Sequence, residues 1–360
     1  MPVAGAAPPA EGAPGGGARA SRYVARWDLD KTYLRTDFDT LRDLVRTAFE
    51  RADQKRTVPG AGSLLRELSS AGAEIHILSG SPRQMRGRIE EKLRLDGARF
   101  ESLTLKPNLE NFLRLRLRAV RDQLGYKLPA LLRSRASLSM EQRAPEPVPE
   151  VLLGDDAEAD AFVYSLYGDV CSGEIGEDAL VEVMRRGRTY EDTIADALRF
   201  ARLIHKGPTV ERILIHLERQ SPPSRFTVYG PRVVPFYNYL QAAFVLAEDG
   251  RLPAEGALRV AAELVIDHRF DADGLARSYV DLRRRGCVRG DLVPALRAAL
   301  PALAPHTRLP AFRELGAMCD VLDGLLTALP APPERPPYAT PAYATLVLEH
   351  NDRRKRPRSP

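Results

Sequence analysis

Cysteine is scarce in this sequence, and its spacing excludes the sites that cysteine usually builds. The 360 residues contain three cysteines, Cys171, Cys287 and Cys319, which lie far apart and form no CxxC pair. This spacing argues against a disulfide framework and against a zinc site. It is typical of proteins from a reducing compartment, and we expect a cytoplasmic location.

Long apolar runs are also missing. No stretch of about 18 apolar residues occurs, so the sequence predicts no transmembrane helix. Residues 1–20 are rich in Ala, Gly and Pro and lack a basic segment followed by an apolar run. We interpret them as a disordered leader and not as a signal peptide. Peripheral contact with a membrane surface stays open.

Lysine is rare as well, since it supplies only seven of the 53 basic residues, and the formal net charge is only +5. Part of this excess lies in the basic segment 353–358, so the rest of the chain is nearly neutral. A small positive balance suits a phosphorylated small molecule or lipid as partner. No basic stripe with interleaved aromatic residues is present, which argues against nucleic acid. The sequence gives no indication of the oligomeric state.

Segments with strand and helix patterns alternate along the chain. Strands are predicted at 23–27, 74–78, 100–105, 151–153 and 211–217, and helices at 38–52, 63–70, 82–95, 109–124, 128–139 and 158–167. This alternation predicts an α/β fold with a parallel sheet and helices on both faces. Residues 252–328 are rich in Ala, Leu and Arg and are predicted to form a helical extension. The Pro-rich tail 329–360 is expected to be disordered.

Acidic residues follow the first predicted strand. Asp28 and Asp30 stand two residues apart directly after it, and the carboxyl ends of parallel strands are where such sheets bind ligands. One carboxylate could attack phosphorus while the other moves protons. A polar turn without function is the alternative interpretation.

Two further segments also have polar residues directly after a predicted strand. Ser79 follows the second predicted strand, where a hydroxyl near a helix N-terminus suits a phosphate oxygen; an ordinary helix cap is the alternative. Asp155, Asp156 and Asp160 follow the strand 151–153, and oxygen ligands of this kind suit Mg²⁺. The alternative is a helix N-terminus that favours acidic residues, which accounts well for Glu158.

A lysine would neutralise the nucleophile and the phosphoryl group. Lys127, predicted to begin a helix, and Lys106, after the strand 100–105, both fit, and a solvated surface lysine is the alternative for each. We favour Lys127.

Taken in order, these segments resemble the haloacid dehalogenase superfamily of phosphatases. The resemblance rests on Asp28-Leu29-Asp30-Lys31-Thr32, Ser79, Lys127 and Gly154-Asp155-Asp156 with Asp160, and it covers about residues 22–217. It implies a phosphatase domain over residues 21–251, Asp28 as nucleophile, Asp30 as acid and base, and Ser79 and Lys127 as phosphoryl ligands. It also implies Mg²⁺ held by Asp28, Asp30 and Asp155, with Asp156 or Asp160 in support.

A narrower resemblance is to the catalytic domain of actin-patch-associated phosphatidate phosphatases. Ser79-Gly80-Ser81-Pro82, Lys127 and Gly154-Asp155 with Asp160 and Tyr164 carry it, whereas Lys31 departs from that family's first motif. Phosphatidate or another bulky phosphoester is the substrate that this resemblance implies. The short segments after the first and third predicted strands indicate a minimal cap, which agrees with a large substrate.

The sequence therefore predicts a magnesium-dependent phosphomonoester hydrolase that acts through an aspartyl-phosphate. The first alternative is a non-catalytic binding or scaffold protein on the same fold. A phosphotransferase or a nucleic-acid end-processing phosphatase is a further alternative.

Overall fold

The protein forms a six-stranded sheet in which every strand pair is parallel. The structure, a computed structural model, describes residues 22–30, 32–33, 57–106, 120–141, 148–290, 292–334 and 336–353. The strands are β1 (Tyr23–Asp28), β2 (Ala73–Pro82), β3 (Ser102–Lys106), β4 (Glu150–Asp155), β5 (Val210–His216) and β6 (Val233–Phe236). Their order in the sheet is β3-β2-β1-β4-β5-β6. This is a Rossmann-like α/β arrangement, as the sequence predicts.

Helices cover both faces of the sheet. They are α1 (Ala61–Ser70), α2 (Arg86–Leu95), α3 (Val120–Glu141), α4 (Asp160–Ser172), α5 (Glu177–Arg186), α6 (Glu191–Arg202), α7 (Tyr239–Glu248), α8 (Ala254–His268), α9 (Ala272–Arg284), α10 (Val293–Leu303), α11 (Leu309–Ala328) and α12 (Tyr343–Arg353). Short 3₁₀ segments lie at Arg83–Met85, Pro223–Tyr229 and Ala304–His306. None of the described helices has both the length and the apolar character that a membrane span requires. The helices predicted at 38–52 and over most of 109–124 lie outside the described residues.

The two central strands of the sheet are β1 and β4. All residues of β1 and β4 are buried, as expected for parallel strands covered on both faces. The chain progresses outward in opposite directions from these two neighbours, to β2 and β3 on one side and to β5 and β6 on the other. Loops that leave the carboxyl ends of β1 and β4 therefore diverge, which opens a crevice between them.

Alternate strand residues supply two separate hydrophobic clusters. Trp27, Ile77 and Leu153 point into the cluster that contains α1, α2 and α7–α11. Leu78 and Leu152 point into the opposite cluster, with α3–α6 and α12. Residues 252–328 are helical, as predicted, but their apolar side chains join the same cluster as β1 and β2. These helices thus complete the cover of one sheet face.

The C-terminal segment differs from the sequence-based expectation. Residues 336–353, within the tail expected to be disordered, include α12, whose Tyr343 and Val347 are buried. The hydroxyl of Tyr343 donates to the carboxylate of Asp169 over 2.6 Å. Tyr343 and Val347 lie four residues apart, on one face of the helix. In the sequence, the surrounding prolines indicate a disordered segment, so this short apolar face is not apparent.

Helix α3 also differs from the prediction, because Lys127 does not begin a helix. One continuous helix runs from Val120 to Glu141 and contains Pro129 in its interior. Proline removes one backbone hydrogen bond and favours a helix start in sequence patterns. Here the apolar residues Leu124, Leu128 and Leu132, all buried, offset that loss.

Glu150, the first residue of β4, is a buried carboxylate that forms ion pairs with two arginines. Glu150 accepts hydrogen bonds from Arg26 over 2.8 Å and from Arg135 over 3.0 Å. Burial alone would raise the pKa of Glu150, but Arg26, Arg135 and the hydroxyl of Tyr167 outweigh it and lower the pKa from 4.5 to about 2. The ionised form is therefore favoured in the folded state. Its contribution to stability is complete above about pH 4.5 and is lost as the pH falls towards 2.

We expect Glu150→Gln to lower the free energy of unfolding at neutral pH by about 3 kcal/mol, because two buried guanidinium groups lose their counter-charge. The difference from the wild type should shrink below about pH 4.5. Urea denaturation at neutral and acidic pH measures both effects. Glu182→Gln is the control, since its pair with Arg186 is exposed and should contribute at most about 1 kcal/mol. Equal losses in the two variants would contradict this account.

Candidate active site

Polar side chains from three strands meet at the carboxyl edge of the sheet. Asp28 ends β1 and Asp155 ends β4, and these strands are neighbours. Ser79 lies on β2, the other neighbour of β1. β2 extends to Pro82, four residues beyond the predicted end, so Ser79 is a strand residue and not a helix cap. The candidate residues therefore surround the crevice between the diverging loops.

The ammonium group of Lys127 lies at the centre of this cluster. Its Nζ is 2.9 Å from Asp28 Oδ1, 2.8 Å from Glu158 Oε2 and 2.5 Å from Asp160 Oδ1. Burial alone would lower the pKa of Lys127, but these carboxylates raise it well above its usual range. Lys127 is therefore a charged lysine beside the candidate nucleophile.

Asp155 and Asp160 are joined through the turn that precedes α4. Asp160 Oδ2 accepts a hydrogen bond from the main-chain N–H of Asp155 over 3.1 Å, and Asp155 Oδ1 accepts from the N–H groups of Ala157 and Glu158. A Cβ atom at Gly154 would lie 2.5 Å from Asp160 Oδ2. Only glycine at this position allows Asp160 to approach the strand end.

Three buried carboxylates form the candidate metal site. Asp28, Asp155 and Asp160 each offer an oxygen, and these oxygens lie within 4.8 Å of one another. Burial and then the neighbouring carboxylates raise the pKa values of Asp28 and Asp155 well above their usual range, while Lys127 opposes the shift. A cation among these oxygens would reverse the effect, because it favours the ionised form. The cluster can therefore hold a metal ion.

Asp156, the alternative supporting residue in the sequence, lies apart from this group. Its carboxylate accepts hydrogen bonds from the main-chain N–H groups of Arg219 over 2.7 Å and of Ser221 over 3.0 Å. These bonds fasten the loop that follows β5. Of the two residues that the sequence leaves open beside Asp155, the structure brings Asp160 to the cluster.

Asp30 and Ser79 lie together on the other side of Asp28. The hydroxyl of Ser79 donates to Asp30 Oδ2 over 2.8 Å, and the hydroxyl of Ser81 donates to Asp30 Oδ1 over 3.3 Å. The carboxylate of Asp30 is therefore held by two hydroxyl groups, away from the three carboxylates around Lys127. The two aspartates of the first motif have different surroundings, which suits two different chemical roles.

Lys106, the competing lysine, is buried at the end of β3. Its Nζ lies 5.2 Å from the ring centroid of Tyr126, whose hydroxyl donates to the carbonyl of Ser79 over 2.7 Å. Lys106 therefore belongs to the same edge of the sheet, on the side of β2 and β3. The ion pair with the candidate nucleophile is made by Lys127, whose Nζ lies 2.9 Å from Asp28 Oδ1.

Sequence reasoning missed three contributors. Glu158, attributed to the helix dipole, pairs with Lys127 and also accepts from Gln123 Nε2 over 2.6 Å. Tyr239 stacks on Trp27 with ring centroids 5.9 Å apart and donates its hydroxyl to the carbonyl of Thr32. The run of acidic residues after β4 is the signal that could have indicated Glu158. No sequence pattern places Gln123 or Tyr239 at the carboxyl edge of the sheet.

Comparison with known proteins does not assign this chain to a family. No family model matches the sequence, and no curated protein and no solved structure matches it significantly.

Proposed function

We propose that the protein is a magnesium-dependent phosphomonoester hydrolase of the haloacid dehalogenase type, with Asp28 as the nucleophile. The observation that carries the proposal is Lys127, whose buried ammonium bridges Asp28 and Asp160 beside Asp155. A carboxylate nucleophile needs a neighbouring positive charge, because the phosphoryl group that it attacks is itself an anion.

The donor set fits Mg²⁺, which prefers oxygen ligands and takes one or two protein carboxylates together with substrate phosphate. The carboxylates of Asp28 and Asp155 and the main-chain carbonyl of Asp30 would hold it. Asp160 bonds to Lys127 and to the Asp155 backbone, so its role is to position Asp155. When bound, the ion would supply positive charge that offsets the anionic phosphoryl group.

In the first step, a carboxylate oxygen of Asp28 forms a bond to phosphorus while the bond from phosphorus to the leaving oxygen breaks. Asp30 gives its proton to that oxygen. Lys127 and the Ser79 hydroxyl donate hydrogen bonds to the phosphoryl oxygens. Asp30 then takes a proton from water, the water oxygen bonds to phosphorus, and the bond from phosphorus to the Asp28 oxygen breaks, which leaves the free Asp28 carboxylate and inorganic phosphate.

The test is a screen of lipid, nucleotide, sugar and peptide phosphomonoesters with and without Mg²⁺, in which released phosphate is measured. Phosphatidate belongs in the lipid set because the sequence resemblance implies it. The Asp28→Asn variant, purified in the same way, controls for contaminating phosphatases. Binding of a phosphoester without turnover would favour the scaffold alternative, and equal release by the wild type and the variant would refute the proposal.

The two lysines are expected to differ in their effect on catalysis. We expect Lys127→Ala to lower kcat/KM by about 10²–10³-fold, the effect of removing one group that stabilises charge in the transition state. Lys106→Ala should cost less, because Lys127 contacts the nucleophile. Circular dichroism checks that both variants are folded. A folded, active Lys127→Ala beside a folded, inactive Lys106→Ala would reverse the assignment.

A further inference from the structure

Two cationic side chains stand at the carboxyl edge of the sheet on the side of β2 and β3. Lys106 ends β3 and pairs with Pro82 of β2, and Arg83 follows Pro82 directly. Lys106 is buried, whereas Arg83 is exposed. One positive charge therefore lies within the edge and the other at its surface, and we call these two residues the β2–β3 cations.

The β2–β3 cations lie close to the carboxylate that is proposed to protonate the leaving group. Asp30 accepts hydrogen bonds from the hydroxyls of Ser79 over 2.8 Å and of Ser81 over 3.3 Å, so it is fastened to β2. The ammonium of Lys106 lies 5.2 Å from the ring centroid of Tyr126. The hydroxyl of that tyrosine donates to the carbonyl of Ser79 over 2.7 Å. One tyrosine therefore links Lys106 to the pair that Ser79 and Asp30 form.

Arg83 is within electrostatic reach of the same tyrosine. Burial raises the pKa of the Tyr126 hydroxyl, while the positive charges of Lys127 and Arg83 oppose that rise. The guanidinium of Arg83 forms no hydrogen bond or ion pair with any residue that the structure describes. Its donors therefore face solvent at the edge where a leaving group beside Asp30 would emerge.

Negative charge is concentrated on the opposite side of the site. The turn after β4 and the first residue of α4 hold four acidic residues, Asp155, Asp156, Glu158 and Asp160. The candidate metal site lies on that side. On the side of β2 and β3, Arg86 and Glu90 of α2 neutralise each other over 2.8 Å. The site is thus acidic where it would hold Mg²⁺ and basic beyond Asp30, where the leaving group must lie.

We propose that the leaving group of the substrate carries a second phosphate, which Lys106 and Arg83 bind beside Asp30. The proposal rests on the proposed function, because a leaving group reaches this edge only if Asp28 attacks phosphorus on the neighbouring strand. A phosphate brings nearly two negative charges and three acceptor oxygens, which suit two cationic donors. Diacylglycerol, the leaving group of phosphatidate, is uncharged and gains nothing from these cations. A substrate with two phosphates should therefore be preferred over phosphatidate.

The experiment compares propyl phosphate with 3-phosphonopropyl phosphate, whose phosphonate represents the second phosphate and cannot be hydrolysed. The two leaving alcohols are similar, so the ratio of the kcat/KM values for phosphate release measures recognition of the second anion. We expect the wild type to favour the phosphonate ester about tenfold or more, the effect of a charge-assisted contact. With one negative charge, 3-carboxypropyl phosphate should fall between the two, and a preference for it over the phosphonate would contradict the assignment of a phosphate.

Four variants assign the effect to the two cations. Lys106→Met should lower the ratio about tenfold, because methionine keeps an unbranched apolar chain but removes the charge. Arg83→Gln should lower it about fivefold, the effect of one exposed ion pair. The controls are Lys92→Met, a buried lysine, and Arg94→Gln, an exposed arginine, both near the end of α2 that lies away from the carboxyl edge. Both controls should keep the wild-type ratio.

The outcomes separate this subsite from the proposed function. A wild type that does not distinguish the two esters would overturn the subsite, and so would an unchanged ratio in a folded Lys106→Met and in Arg83→Gln. Circular dichroism checks folding, and Arg83→Gln keeps the test valid if Lys106→Met does not fold, because Arg83 is exposed. Faster hydrolysis of phosphatidate than of the phosphonate ester would also overturn it. A protein without any phosphatase activity would instead refute the proposed function, and this inference with it.

Discussion

Replacement of Asp28 by asparagine is expected to lower phosphomonoester hydrolysis by roughly 10⁴–10⁶-fold, the range seen when the reacting groups of a covalent hydrolase are removed. The amide has the shape of the carboxylate but cannot attack phosphorus. The fold should persist, because burial and neighbouring carboxylates already disfavour a charge on Asp28. Steady-state phosphate release measures the first effect and thermal unfolding the second.

Asp30→Asn provides the matched comparison, since it changes the second carboxylate of the same motif. This variant should also be inactive, but with a substrate whose leaving group needs no proton it should accumulate phosphate on Asp28. Mass spectrometry of the denatured protein locates that phosphate. Phosphate on a different residue, or near-normal turnover by Asp28→Asn, would remove Asp28 as the nucleophile.

Removal of the proposed Mg²⁺ is expected to have the second large effect on the rate of phosphomonoester hydrolysis. We expect EDTA to abolish turnover and added Mg²⁺ to restore it, because Asp28 and Asp155 place buried carboxylate oxygens within 4.8 Å of one another, and such oxygens are the ligands that Mg²⁺ prefers. Asp155→Asn should raise the Mg²⁺ concentration needed for half-maximal activity by about tenfold or more. Magnesium titration of the rate measures this shift, and full activity in chelator would contradict the metal assignment.

Two neighbouring aspartates serve as controls for Asp155. Asp160→Asn should shift the magnesium requirement less, because Asp160 acts by holding Lys127 and the Asp155 backbone. Asp156→Asn should shift it least, since its carboxylate is occupied by the loop after β5. The expected order of the shifts is therefore Asp155, Asp160, Asp156. A larger effect at Asp156 would mean that the loop, and not the carboxylate cluster, governs metal binding.

Sequence patterns predicted five of the six strands but not every element between them. β6 is only four residues long, Val233–Phe236, with a proline inside it, so its pattern resembles a loop. In α3, Lys127 was predicted to begin a helix, yet one helix runs from Val120 to Glu141 because its leucines are buried against α4 and the sheet. Local propensity misplaces such boundaries whenever tertiary packing outweighs it.

The sequence by itself determined where the candidate site residues would lie. Asp28, Ser79 and Asp155 stand at the ends of apolar segments, and the carboxyl ends of parallel strands share one edge of the sheet. That reasoning needs only the alternation of strands and helices and the polar residues that interrupt it. The resemblance to the haloacid dehalogenase phosphatases added Lys127 and Gly154 to the same set.

Only the tertiary structure decided which of these groups touch. Asp160 rather than Asp156 reaches the candidate metal site, because Gly154 leaves space for it and the N–H groups of Arg219 and Ser221 hold Asp156 elsewhere. Likewise α12 joins the fold through two buried side chains and a hydrogen bond to Asp169, a residue 174 positions from Tyr343. Contacts between residues so distant in the chain leave no periodic signal in the sequence, since packing in three dimensions alone brings them together.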